Sequence, residues 1–375
     1  MPVLKEYGFN NIIELKHGAK FIIEDDFELF CYQTSWNDDA ALIIKIDDKL
    51  IANLNDAKLG ESTLKYISKT HGPIDFFLKS HSSATAYPDC FKSKDPKDLS
   101  LIDKDHYFKA FINSASVLNS KYLIPFASHV CFLHEDTFKL NNNIINPYDL
   151  EKYLSGNKVI EAEVKIMIPG DCWSKDKGFK ISKLLKPENY NSEIKKLFFD
   201  KQKEIKQFDK KLIEENKLTF NDFNTYFSDY LKSIPWLIRK FIPFSVSFLF
   251  INNDKNKTYY ILNYRKAEVS KTSTVPKNCS IIIKVNPSLL ASAIKNRVYN
   301  FIDISKRIEI SISAGKILHY GLFKESMNLY ECGYLPISNL FNIRFMKVWY
   351  LRRRELFDYI KLIITKGIPH PDINK

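Results

Sequence analysis

The sequence predicts an α/β chain in two parts: a layered α/β region over 1–188 and an α+β region over 231–375, joined by a helical linker over 189–230. Three observations predict it. Short apolar runs alternate with helical stretches through the first half, as strands do when helices cover their sheet. The linker is charged and helical in pattern, as in EIKKLFFDKQKEIKQF. Beyond it the chain switches to hairpin signals and a Pro-led helix. A length of 375 residues suits two domains, and 45% hydrophobic residues, with 28 Phe and 20 Tyr, are enough for two cores.

Taken in order, FIIEDDFELFCY within 10–35 predicts a hairpin. Ala40 to Ile46 and Leu50 to Leu54 predict two strands around the turn Asp47-Asp48-Lys49, ending in Asn53-Leu54-Asn55-Asp56. A helix over Glu61 to Lys69 and a Gly-Pro turn lead to a strand at Ile74 to Leu78, which ends in Lys79-Ser80-His81-Ser82-Ser83. A helix from Asp105 to Leu118 precedes the strand Tyr122 to Phe126, and Val159 to Ile168 predicts another strand, closed by Pro169-Gly170-Asp171. In the second part, Phe244 to Asn252 and Thr258 to Tyr264 predict a hairpin. Ser280 to Val285 predicts a strand, Pro287 to Lys295 a helix, Ile308 to Ile312 a strand and Phe341 to Thr365 helical structure.

Composition narrows the function classes. The net charge of +12 raises nucleic acid or anionic lipid as partners, but Lys is interleaved with Asp, Glu and Asn throughout, so a solvated surface is the favoured reading and nucleic acid the disfavoured one. The one dense block, Arg352-Arg353-Arg354, predicts a solvated helix face. The six Cys show no CxxC spacing, which argues against a zinc ribbon and for small core residues in a reducing compartment. The amino terminus lacks a basic-then-apolar pattern, and the most apolar stretch, Ile234 to Ile251, is broken by Arg239, Lys240 and two prolines. A cytoplasmic protein without a membrane span is the expectation.

Four predicted strands end in residues able to bind a metal or move a proton: Asp56, His81, His129 with His134, and Asp171. Ligands gather at the carboxyl ends of strands in open α/β sheets, because loops and helix amino termini converge there. Carboxylate and imidazole suit first-row metals. Each of these residues also has an ordinary role as a turn residue. The same holds for His81-Ser82-Ser83, a polar loop sooner than a nucleophile pair, and for Gly170-Asp171, a turn sooner than a phosphate loop. Trp36 and Trp173 read as buried aromatics that could also line a pocket.

The segments DDAALIIKIDDKLIANLNDAKL, DFFLKSHSSATAYP, YLIPFASHVCFLHED and IMIPGDCW, in that order, resemble the second half of the metallo-β-lactamase-fold domain of CMP-N-acetylneuraminate hydroxylases and their bacterial relatives. The resemblance covers about residues 8–180. In that family an Asn-x-x-Asp-Cys-like segment supplies a metal-contacting Asp. Asn53 and Asp56 match it, with Ala57 in place of the Cys. Ser80 to Pro88, Pro125-Phe126-Ala127 with His134, and Pro169-Gly170 match later pieces. The family's first half carries HxHxDH, and none of the eight His in this chain stands in an HxH spacing. The resemblance therefore implies a partial metallo-β-lactamase-like αββα layer. That layer would be either a truncated product or a half-domain paired with a separate chain, with one sheet face left uncovered for a homo-oligomer or partner. The tail, through IIIKVNPSLLASAI and FIDISKRIEIS, resembles sterol-carrier-like domains that bury apolar ligands between a sheet and helices; a structural or dimerisation domain is the plain alternative.

Two functions follow as expectations. The first is a metal-dependent hydrolase or oxygenase-type protein, incomplete as a catalyst alone. Asp56 and His81 would be its Zn or Fe ligands, His134 and His129 its proton carriers or further ligands, and a polar metabolite or sugar nucleotide its substrate. The second is a non-catalytic interaction or ligand-binding protein, motivated by the missing His motif.

Overall fold

The computed structural model describes residues 2–34, 39–82, 85–128, 130–157, 160–182, 187–251 and 256–366. After a short helix α1 (Pro2–Glu6) come four strands, β1 (Lys20–Glu24), β2 (Phe27–Thr34), β3 (Asp39–Ile46) and β4 (Lys49–Asn55). They form an antiparallel meander. The turn residue Asp47 takes φ 50°, a conformation open to Asp because its short side chain bonds locally. Helix α2 (Glu61–His71) then crosses over to β5 (Phe76–Lys79), which runs parallel to β4. The short β6 (Phe91–Lys92) leaves this sheet. The chain returns through α3 (Lys104–Val117) to β7 (Tyr122–Pro125) and through α4 (Pro147–Asn157) to β8 (Glu163–Val164). The resulting sheet has the order β1-β2-β3-β4-β5-β7-β8. A small hairpin of β9 (Cys172–Ser174) and β10 (Gly178–Lys180) follows.

The strand expected over Val159 to Ile168 is reduced to Glu163–Val164, with Val159 outside the described residues. Its partner β7 offers only Tyr122 and Leu123 for pairing, and the chain turns away toward Pro169 once Lys165 N–H has bonded to the Leu123 carbonyl.

Residue alternation fixes the two faces of this sheet. Ile43, Ala52, Phe77 and Leu123 point to one side. There they meet Leu64 and Ile67 of α2, Phe111 and Ala115 of α3 and Leu150 of α4 in one core. Phe76, Leu78 and Ile124 point to the other side, which carries no helix layer comparable to α2–α4.

The second part begins with α5 (Tyr190–Glu215), a 26-residue helix, followed by α6 (Phe220–Ser233) and α7 (Trp236–Phe241). Its strands are β11 (Ser245–Ile251), β12 (Lys257–Asn263), β13 (Glu268–Thr272) and β14 (Cys279–Val285). Helices α8 (Pro287–Asn296) and α9 (Phe301–Ser305) precede β15 (Ile308–Ile312), and α10 (Ile317–Glu331), α11 (Ile343–Leu351) and α12 (Arg353–Lys366) close the chain. Pro287 opens α8, and Asn286 caps it by accepting from Ser288 N–H at 2.9 Å.

Residues 189–230 are expected to link, yet α6 lies in the second core. Its Phe223, Phe227, Tyr230 and Leu231 recur at helical spacing, are fully buried, and pack on Phe248 and Phe323. These rings lie in the interior between this sheet and its helices, where the sterol-carrier likeness would put an apolar ligand.

The second sheet has the order β13-β12-β11-β14-β15-β6, so the first part lends it an edge strand. Phe91 pairs with Ile310 and stacks edge-on against Tyr320 at 4.8 Å. Beside it Lys306, 7% exposed, donates to Asp89, and Arg307 donates to Asp209 of α5 at 2.8 Å. The chain end crosses back in turn: α12 packs on α2. Arg352 is therefore not a solvated helix residue as its sequence block predicts. It is buried against Glu355, while Arg354 lies 3.9 Å over the Tyr66 ring.

Asp358 caps α2 from across the fold, accepting from Ser62 N–H at 3.1 Å and from the Ser62 hydroxyl. A carboxylate there meets both the orphan amides and the positive end of the helix dipole. Gly60 makes room for it, since a Cβ at that position would stand 2.4 Å from Asp358 Oδ2. Asp358→Ala is expected to cost about 1 kcal/mol in urea denaturation. Gly60→Ala should cost a similar amount by displacing the same carboxylate, and the double variant should lose much less than the sum.

Candidate functional site

The carboxyl ends of β4, β5 and β7 are the place where ligand-capable residues are expected to meet. Asp56 follows β4 and is exposed. His81, two residues past β5, is fully buried. His129 lies outside the described residues, as do Ser83 and Trp36. Asp171 serves the turn that holds it: its carboxylate accepts from Ile168 N–H at 2.9 Å and Ser182 N–H at 2.7 Å. Gly170, at φ 98°, completes that turn. His134 sits elsewhere, with Nδ1 3.3 Å from Asp209 Oδ2 in the ion cluster around Arg307. Among the described residues no three His, Cys, Asp or Glu side chains gather as a metal cage.

A cation occupies the strand end instead. Lys79 continues β5 on the same face as Phe77, 7% exposed, and its ammonium donates to the Ala57 carbonyl at 3.2 Å. Burial drives its pKa down to about 8; Lys58 adds to the lowering and Asp56 opposes it. Catalytic zinc needs about three protein ligands. With Asp56 exposed, His81 enclosed and a lysine amine beside them, the described residues do not fit a Zn or Fe centre, and no metal-dependent step follows from this geometry.

The larger feature lies on the opposite face of the same strands. Phe76 and Leu78 of β5, Ile124 of β7 and Ile51 of β4 form the floor of a cavity of about 1180 Å³. The β9–β10 hairpin makes one wall. Trp173 meets Phe76 edge-on at 4.8 Å, and Phe179 meets Tyr122 at 4.9 Å. The opposite wall is the first two turns of α5, with Tyr190, Ile194 and Leu197. Val130, Cys131 and Met167 close the ends. Polar groups are few. Burial pushes the Cys131 thiol and the Tyr190 phenol up, so both stay neutral at pH 7. Glu193 is exposed on the outer edge of α5 at the cavity. Phe126 and Leu197, each more than one-third exposed, place the cavity in reach of solvent.

Of the residues singled out in sequence, Trp173 lines this cavity, and so do Pro125, Phe126, Ala127 and Pro169, named there as matches to the family's pieces. The missed residues, Phe76, Leu78 and Ile124, had a visible signal: IDFFL and YLIP are apolar at both odd and even positions. A strand with two apolar faces needs cover on both sides.

Lys79 generates a prediction with a definite sign. Below about pH 8 the amine is charged in folded and unfolded chains alike, so the cost of burying the charge is complete. Between about 8 and the ordinary lysine value of 10.5, the folded chain sheds a proton that the unfolded chain keeps, and stability rises with pH. Lys79→Met removes the charge and leaves the Ala57 carbonyl without its partner. It is expected to stabilise the protein at pH 7 by on the order of 2 kcal/mol in urea denaturation, with the advantage shrinking toward pH 10.5. The chain matches no protein-family model and no curated protein.

Proposed function

We propose that this chain is a non-catalytic binding protein for a small, largely hydrocarbon molecule held against the face of the first sheet opposite α2–α4. One observation carries the reading: a cavity of about 1180 Å³ whose floor and both walls are aromatic and aliphatic side chains. Ligand sites are mostly apolar concavities with a few polar groups, of about 300–1,000 Å³, and this one is somewhat larger. Transfer of hydrocarbon from water into it is favourable in proportion to the area removed, about 25 cal/mol per Å². The polar groups at hand select among ligands. Glu193 would repel a carboxylate head, whereas Tyr190 and Cys131 can bond a hydroxyl or carbonyl. A long-chain or fused-ring alcohol or ketone fits this chemistry better than a fatty acid does.

The hydrolase expectation, with its polar metabolite or sugar-nucleotide substrate, has less support. A sugar nucleotide would leave its phosphates and hydroxyls against Phe76, Leu78 and Ile124, an unfavourable transfer for each polar group left unpaired.

The test fills the cavity. Leu78→Trp puts an indole into the floor. It is expected to weaken binding of the neutral dye Nile red at least tenfold, to abolish competition by a long-chain alcohol, and to leave the melting temperature within a few degrees. Dye binding by Leu78→Trp with natural affinity would sink the proposal.

A further inference from the structure

A second apolar feature is α7, in the second part of the fold. None of its six residues is buried. Trp236 and Phe241 are 62% and 77% exposed, and Leu237 and Ile238 are about half exposed. The helix is nevertheless held firmly. Ile234 just before it and Phe244 just after it are core residues, Pro235 and Pro243 bracket it, and Arg239 N–H bonds back to the Pro235 carbonyl at 3.0 Å. The fold thus presents two large aromatic and two branched aliphatic side chains to solvent from a short, anchored projection.

Helix α10 starts close to the segment that follows α7: His319 stacks on Phe244 at 4.3 Å, and Leu318 and Leu322, one turn apart on α10, are exposed. Cations flank these side chains along the chain: Lys232 closes α6, Arg239 and Lys240 lie within α7, and Lys316 precedes α10. Lys240 Nζ lies 4.7 Å over the Trp236 ring. From Lys232 to Ile251 the sequence contains no carboxylate.

We infer that α7, with the start of α10, docks this protein on an anionic lipid surface. Trp and Phe are the side chains that settle at the level of lipid headgroups, with Leu and Ile just below them, while Lys and Arg reach the phosphates. The charge pattern also selects against the other occupants. A second copy pairing through the same patch about a twofold axis would set four cations against four. A nucleic acid would meet the cations but leave Leu237, Ile238, Leu318 and Leu322 without an apolar partner. The chain's overall +12 favours the same negatively charged surface.

Vesicle flotation of the full chain tests this. The protein is expected to float with phosphatidylcholine vesicles containing about one-third phosphatidylserine, to float poorly with phosphatidylcholine alone, and to be released as salt rises from about 0.05 to 0.5 M. Trp236→Ser with Phe241→Ser should lower the partition coefficient at least tenfold, and Arg239→Glu with Lys240→Glu about 30-fold or more. Trp236, Phe241 and Lys240 are exposed, so the Trp236/Phe241 variant and Lys240→Glu by itself should keep the natural melting temperature and Nile red binding, whereas Arg239 is partly buried with its Nε enclosed. A variant that loses Nile red binding as well would count against a separate lipid-docking surface. Three results overturn the inference: no flotation on anionic vesicles at low salt, unchanged flotation of the Trp236/Phe241 variant, or a natural dimer that this variant splits. Binding of single-stranded RNA in place of vesicles would do so too.

Discussion

The first sheet must bury two apolar faces and has a full helical layer for only one. Its parallel strands put Phe77 and Leu123 to one side and Phe76, Leu78 and Ile124 to the other, because successive side chains in a strand alternate. Helices α2, α3 and α4 cover the first side over β3, β4, β5 and β7. The second receives a three-residue hairpin arm with Trp173 and Phe179, and the opening turns of α5. Those pieces shield the strands from bulk water but do not fill the space between them, and the cavity is what remains.

The same limit explains why the two parts are bound together so closely. A sheet with an uncovered face and exposed edges is prone to self-association. The short strand β6 leaves the first part to become an edge of the second sheet, and its flanks bring Tyr87, Cys90 and Phe91 into the second core. Burial pushes the Cys90 thiol up to about 12, which marks it as an inert core residue. The ion cluster of Lys306 with Asp89, and of Arg307 with Asp209 and Asp136, stands across the junction. His134 belongs to that cluster, so its position is accounted for by the packing of α5 against both parts. The return of α12 to cap α2 adds a second tie, made of one carboxylate and the missing side chain of Gly60.

The strand ends show how one local pattern serves different ends. Polar residues after a strand can be ligands, caps or turn formers, and their residue type does not distinguish these roles. Asp171 spends both carboxylate oxygens on backbone N–H groups, and Asn53 accepts from Asn55 N–H at 3.1 Å to shape the exit of β4. Lys79, which no motif singled out, is the buried charge at this edge, because its position two residues after Phe77 carries its stem toward the helix side of the sheet.

The sequence by itself determined most of the elements. The strands β3, β4, β5, β7, β11, β12, β14 and β15 and the helices α2, α3 and α8 fall within a few residues of their expected limits, since period-2 and period-3.6 patterns, Pro287 and the turn residues are local signals. The doubly apolar strands also show that the first sheet needs cover on both faces. Only the tertiary structure decided what lies over each face, that α6 is core, that Arg352 is buried, and that β6 joins the other sheet. Each of these depends on contacts between residues far apart in the chain, such as Ser62 with Asp358 and Phe91 with Ile310, and no local pattern encodes such a distance. The exposed aromatics of α7 are a similar case. WLIRKF looks like core material in sequence, and only the placement of Ile234 and Phe244 in the interior leaves the six residues of α7 on the outside.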